Sequence, residues 1–240
     1  MKLGGLFYPV EDDKGNKIPF DSLYIWAIYK EIYLDGVYID VLNIRNNLTI
    51  IDVGANIGIT VQHFQPHCKK LYAIEPSPEH FTALKKNKEF NNWDNVELFE
   101  MALADKDWEM ELAMNEGNRT MNTLMVREPE ENGKYRVKGT PFEMTTKNPY
   151  SNRVKVKTQA FDTFFKENKI ETVDFCKFDV EGAEDMILRS EGFKKITDKI
   201  KAIEVEFHFP NWPQLADYLV SLGYQARRYR TDPIILLFTR

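Results

Sequence analysis

The stretch TIIDVGANIG, residues 49–58, decides how this chain folds. Its first half is short, apolar and β-branched, which reads as a buried strand. Gly54 then permits a tight turn. Asn56 stands where the backbone must turn left-handed, a conformation Asn tolerates better than most residues. Gly58 lets a helix pack close to the strand. The spacing G-x-N-x-G is one residue shorter than the G-x-G-x-x-G turn that cradles a pyrophosphate, so a phosphate-free ligand is favoured over a dinucleotide.

Working outward, strands and helices alternate. A helix over 59–65 stops at Pro66, and a strand KLYAI (70–74) follows. Next come a helix over 78–90 and a strand NVELFE (95–100). Period-2 alternation over 109–114 and 153–158 predicts two antiparallel partners. A helix over 161–168 leads to the strand VDFCKFDV (173–180), a helix from about 183, and the strand KAIEVEFHF (201–209). A helix over 213–222 precedes strands at 224–229 and 234–238, with Asp232-Pro233 at the turn. So short a connection makes the last pair antiparallel. The predicted fold is α/β and Rossmann-like: a mostly parallel seven-stranded sheet, covered on both faces, that ends in an antiparallel hairpin.

Residues 1–45 read as an N-terminal extension, with a helix capped by Ser22 and followed by YIDVL (38–42). Residues 46–240 form the ligand-binding domain. It carries an aperiodic insertion over about 115–152, read as a lid on the substrate side.

Composition narrows the partners. The net charge of −5, from 32 Lys+Arg against 37 Asp+Glu, argues against a nucleic-acid substrate, although Arg227, Arg228 and Arg230 form a local basic group. No run reaches the roughly 18 apolar residues of a membrane span. Cys68 and Cys176 are too few for a disulfide framework. The chain reads as a soluble, reduced, cytoplasmic protein. Its oligomeric state is not legible.

Glu75 ends the second strand, about twenty residues beyond Gly54, where an acid accepts both hydroxyls of a ribose. Asp52 is placed to meet the far end of the ligand, directly or through water. Gly54, Ala55, Asn56 and Gly58 shape the turn, and Ala102 and Leu103 are expected against an adenine ring. The ligand that fits is S-adenosyl-L-methionine, with Asp52 at its methionine end.

These segments also resemble a known family. IYLDGVYIDVL (32–42), DVGANIG, AIEPSPEHFTALKKN (73–87), ALAD, AFDTFF (160–165) and above all KFDVEGAE (177–184) look like FkbM-type methyltransferases. Ala160-Phe161-Asp162 departs slightly from the T-L-D usual there. The resemblance covers roughly residues 30 to 206. It implies the class I methyltransferase fold and O-methylation of a hydroxyl, often on a sugar or polyketide-like small molecule.

Methyl transfer to an alcohol requires in-line alignment and removal of a proton. Ligands of open α/β folds sit at the carboxyl ends of the strands, which directs attention to Lys177, Asp179, Glu181 and Glu184, and to Glu204, Glu206 and His208. Asp179 is expected beside the cofactor, with Glu206 or His208 as the base and Lys177 as the charge that tunes them. A buried Lys177 needs a carboxylate partner, Asp179 or Glu206. Glu181 and Glu184 have an alternative reading as helix N-terminal acids. Asp179, Glu206 and His208 would be the ligands if Mg²⁺ took part, the less favoured reading. His63 and His67 are not aligned to hold a metal. Arg119 in the insertion is a candidate acceptor contact. The acceptor is expected to be a glycan or small-molecule hydroxyl. A nucleic-acid or protein acceptor, or a non-catalytic cofactor-binding module, are the competing readings. DVEG, where amino-group methyltransferases often carry Asn/Asp-Pro-Pro-Tyr, argues against methylation of a base amine.

Overall fold

A computed structural model describes residues 28, 30–36, 38, 46–115, 122–124, 135–136, 143–144, 152–208, 210–231 and 234–240. Most of the helix expected after Ser22, most of YIDVL, Arg119, most of the insertion and Asp232-Pro233 lie outside them; the end of that helix is described, as a helical turn over Lys30–Leu34.

The seven-stranded sheet contains β1 (Leu48–Val53), β2 (Cys68–Ile74), β3 (Val96–Phe99), β7 (Phe175–Phe178), β8 (Ala202–Phe207), β9 (Gln225–Thr231) and β10 (Ile234–Thr239). Its order is β9-β10-β8-β7-β1-β2-β3. The five strands from β8 to β3 run parallel, and β10 pairs antiparallel with both β8 and β9. This is the Rossmann-like α/β sheet with a closing antiparallel hairpin. A second, three-stranded sheet sets β6 (Asn152–Ala160) between β4 (Ala102–Ala104) and β5 (Trp108–Met114). β5 and β6 are antiparallel, as the alternation predicted.

β1 shows why both faces are covered. All six of its residues are buried, so alternate side chains enter two different cores. Leu48 and Ile50 pack with α1 (Ile59–Phe64) and α2 (Pro78–Asn91). Ile51 and Val53 pack with α3 (Phe161–Glu167), α4 (Glu184–Leu188), α5 (Glu191–Lys194) and α6 (Trp212–Ser221). The second core is rich in phenylalanine: Phe161 meets Phe193 edge-on at 5.6 Å between ring centroids. Edge-on aromatic pairs add a little beyond the area they bury.

α1 ends at Phe64, just before Pro66, and the chain continues into a 3₁₀ turn, Gln65–His67, with Pro66 in its first turn, where the missing N–H is not needed. One detail differs from the sequence reading. The third strand ends at Phe99, and Ala102–Ala104 belongs to the second sheet.

Candidate active site

The turn after β1 adopts the backbone its residues suggested. Gly54, Asn56 and Gly58 have φ of 85°, 50° and 96°. A Cβ on Gly54 would lie 1.9 Å from the Asp179 carbonyl oxygen, so no other residue fits between β1 and β7. The floor there is bare backbone. Gly58 serves packing: its Cβ would meet Leu84 Cδ1 at 2.7 Å. Glu75 ties the turn to β2, accepting from the Asn56 amide at 2.8 Å and, through its other oxygen, from Ser77 at 2.8 Å. His80 Nδ1 lies 3.6 Å from the same carboxylate.

Above this turn opens a crevice of about 190 Å³. Ala102, Leu103, Leu112, Leu124 and Ile187 supply apolar wall, and Gly54, Asn56 and Glu75 line it too. Asp179, Glu181, Glu206 and Glu31 add carboxylates. Flat apolar walls, an acid beside a bare-backbone turn, and further anions are what an adenosyl sulfonium requires, so the residues present fit S-adenosylmethionine.

Three neighbouring parallel strands carry a buried charged row. Lys177 on β7 is in register with Asp52 on β1 and Glu204 on β8. Lys177 is 2% exposed, and its Nζ lies 3.3 Å from both Asp52 and Asp179. Burial works to neutralise the ammonium, but Asp179 and Asp52 outweigh it and hold the group above its ordinary pKa. Burial raises the Asp52 carboxyl, against the pull of Lys177, and raises that of Glu204 well above its usual value.

Of the two carboxylates expected to partner Lys177, Asp179 does so, and Asp52, which was not expected in that role, is a second partner. Asp52 also accepts from the Thr60 hydroxyl and is fully buried, off the wall of the crevice. The alternation of β1 turns it toward α1. Ala55 is likewise buried in the α1-side core.

His208, just past β8, meets four carboxylates. Its Nδ1 is 2.8 Å from Glu184, and its Nε2 lies 3.5, 3.6 and 3.8 Å from Glu206, Glu181 and Asp179. Burial alone would lower its pKa, yet Glu181 and Glu184 carry it well above the ordinary value. Burial and the Asp179 charge push the Glu206 carboxyl well up. Glu184 lies in the first turn of α4 but makes no cap bond there; it reaches back to the preceding turn instead. One of its oxygens faces the Val180 and Gly182 amides and His208 together. Asp179, Glu206 and His208 each offer a ligand atom within 4.8 Å of the others, so they could hold a cation. His63 belongs to the α1 packing instead, edge-on to Tyr33.

The structure thus gathers Gly54, Asn56, Glu75, Ala102, Leu103, Asp179 and Glu206 at one crevice, with His208 against its acids. Sequence reasoning missed Glu31 and Ile28, which reach the crevice from the N-terminal segment, and Leu124 and Asn122 from the insertion. It also missed the hold of Glu184 on His208, although that acid was in plain view as the end of KFDVEGAE.

The family described as methyltransferase FkbM domain matches residues 52–229, a span that opens on the Asp52–Gly58 turn and takes in Glu75, Asp179, Glu206 and His208. The chain belongs to this family. As an FkbM-type methyltransferase it is 26% identical to methyltransferase sdnD of Sordaria araneosa, over 93% of this chain and 91% of that one. It is 24% identical to 2-O-methyltransferase NoeI of Sinorhizobium fredii, over 66% of this chain and 62% of the relative. Among solved structures, an rRNA methylase from Streptococcus thermophilus superposes with a TM-score of 0.49 at 12% identity, covering 87% of this chain and 95% of that one. Among the described residues, no helix of this FkbM-type methyltransferase is long and apolar enough to cross a membrane.

Proposed function

We propose that this methyltransferase uses S-adenosylmethionine to O-methylate a hydroxyl on a sugar, glycan or small-molecule metabolite. One observation carries the reading: a single crevice joins Glu75 and the apolar Ala102–Leu103 wall to Asp179 and Glu206 across the bare backbone of Gly54. The relative NoeI, a 2-O-methyltransferase, supports oxygen as the acceptor atom.

The bound cofactor supplies an electrophilic methyl on sulfur. Glu75, Gly54, Ala102 and Leu103 would hold the cofactor, with Glu75 accepting from its ribose hydroxyls. Methylation of a hydroxyl also requires that its proton leave. Glu206 takes it: it lines the crevice beside Asp179, and burial together with the Asp179 charge makes its carboxylate more basic than usual. The charged His208 steadies Glu206 and Asp179, and Lys177 balances Asp179 from below. Leu124 and Asn122 bring the insertion against the crevice, in support of its role as a lid over the acceptor. The free thiols Cys68 and Cys176 suit a cytoplasmic setting.

The test is transfer of label from methyl-tritiated cofactor to a panel of glycosides and hydroxylated metabolites. Alkali-stable methyl ether supports the reading. Label in alkali-labile ester, in RNA or in protein overturns it. A second reading, Mg²⁺ held by Asp179, Glu206 and His208, is favoured by the 4.8 Å grouping of their ligand atoms. Such an ion would acidify the hydroxyl itself. Rates that survive EDTA retain Glu206 as the base; loss restored by Mg²⁺ establishes the ion.

A further inference from the structure

Residues 122–124 of the insertion are fixed against the second sheet. The Ala113 amide donates to the Thr123 carbonyl at 2.8 Å, and the Thr123 amide donates back to Ala113 at 3.0 Å. This exchange sets Asn122 and Leu124 into the crevice wall with Leu112. Leu124 is buried and clusters with Leu112 and Ala102, so the place of the segment does not depend on the Asn122 side chain.

Asn122 holds a donor in reserve. Its Oδ1 accepts from the Asn115 amide at 2.9 Å, a bond that settles which end of the carboxamide is oxygen. The other end, Nδ2, is shut off from solvent and has no hydrogen-bond partner among the described residues. With Oδ1 tied to a backbone amide, the carboxamide cannot turn Nδ2 out to water without breaking that bond. A buried donor left unmatched is costly, and one in a native fold calls for an explanation. Asn122 lines the crevice, so an oxygen of a molecule bound there supplies one.

The surroundings say which oxygen. Asn122 is an uncharged donor set beside Leu112 and Leu124, with Asp179 and Glu206 lining the same crevice. Such a wall suits a molecule that shows both C–H surface and hydroxyl oxygen. On the acceptor reading above, the oxygen that is methylated gives its proton to Glu206 and a lone pair to the incoming methyl. A hydrogen bond donated to that same oxygen would hold back the lone pair, so Asn122 serves a second one.

We infer that Asn122 is a specificity-determining residue, whose Nδ2 donates to a non-reacting oxygen of the methyl acceptor. The substrate then carries a second oxygen near the methylated one, as a diol or polyol does and a lone alcohol does not. The inference rests on the O-methylation reading and narrows its acceptor.

The experiment measures methyl transfer by the full chain from methyl-tritiated cofactor to methyl glucoside, methyl galactoside and methyl mannoside, and to the monodeoxy analogues of each. Calorimetry with S-adenosylhomocysteine accompanies it. For the native protein, deleting one hydroxyl that is not itself methylated should raise KM by about three- to tenfold, the weight of one neutral hydrogen bond. Asn122→Ala should raise KM for the parent glycoside by about the same factor with kcat little changed, the mark of a lost binding contact. In that variant the deoxy analogue should cost nothing more, because the two halves of one contact are non-additive. Asn122→Asp keeps an oxygen for the Asn115 amide but has no donor, so it should match Asn122→Ala. S-Adenosylhomocysteine should bind both variants as it binds the native protein, which also shows them folded. An unchanged KM in both variants, or a full further loss with the deoxy analogue, overturns the inference. So does a comparable loss of S-adenosylhomocysteine affinity, which would set Asn122 against the nucleoside. If the nucleoside binds but no glycoside takes label, the sugar acceptor itself fails and the inference falls with it, a different result from transfer with an unchanged KM.

Discussion

His208 Nδ1 stands 2.8 Å from a carboxylate oxygen of Glu184, and the same oxygen faces the Val180 and Gly182 amides. The imidazole is thereby fixed to the turn that follows β7, with Nε2 toward Glu206, Glu181 and Asp179. Glu181 and Gly182 hold that turn with φ of 52° and 107°. A 2% exposed Glu184 is thus a hinge pin between two strand ends.

Removing the pin should hurt turnover more than cofactor binding. Glu184→Ala is expected to lower kcat about ten- to a hundredfold, the range typical when a hydrogen-bonded partner that orients a site imidazole is lost. Affinity for S-adenosylhomocysteine should stay within about threefold, since Glu184 is not on the crevice wall. In a His208→Asn background the same change should cost little more, because coupled residues are non-additive. Full additivity would separate the two residues.

Glu75→Ala should act in the opposite way. The carboxylate holds the Asn56 and Ser77 amides and waits for the ribose. Calorimetry should show binding weakened by about a hundredfold, as two charge-assisted hydrogen bonds of roughly 1.5 kcal/mol each are lost. Unchanged affinity would remove Glu75 from the ribose.

Gly54→Ala tests the floor. With φ of 85° and a Cβ 1.9 Å from the Asp179 carbonyl, the change forces β1 and β7 apart. A Tm loss of roughly 10 °C is expected for a strain of about 3 kcal/mol, together with loss of cofactor binding. A native Tm would contradict the close approach.

His63 should make stability depend on pH. Burial lowers its pKa from 6.5 to about 4, so between those values the unfolded chain binds a proton that the folded one refuses. Stability then falls as pH drops from 6.5 toward 4. Partial exposure of the ring limits this to an order of 1–2 kcal/mol. The slope should flatten in His63→Gln when urea unfolding is compared at pH 7 and pH 5. Equal slopes would assign the dependence to other groups.

How far the sequence could be read depended on the range of the physics. The β1 turn was legible because glycine and asparagine at fixed spacing are a local signature, and the parallel sheet because TIIDV is apolar at all but Thr49 and Asp52. The small second sheet was half legible: the alternation of β5 and β6 showed, but Ala102–Ala104 is too short and uniform to announce a change of sheet. Asp52 could not be placed, since a strand residue's direction follows from what packs on each face. Glu31 was out of reach, because contact between the N-terminal segment and Arg230 spans most of the chain. The order of Lys177 between Asp52 and Glu204 needed the strand register.

The most direct test is a crystal structure grown with S-adenosylhomocysteine. The expected result is adenine against Ala102 and Leu103, ribose hydroxyls on Glu75 and sulfur above Gly54. A crevice left vacant at saturating ligand, or the nucleoside seated elsewhere, would contradict it.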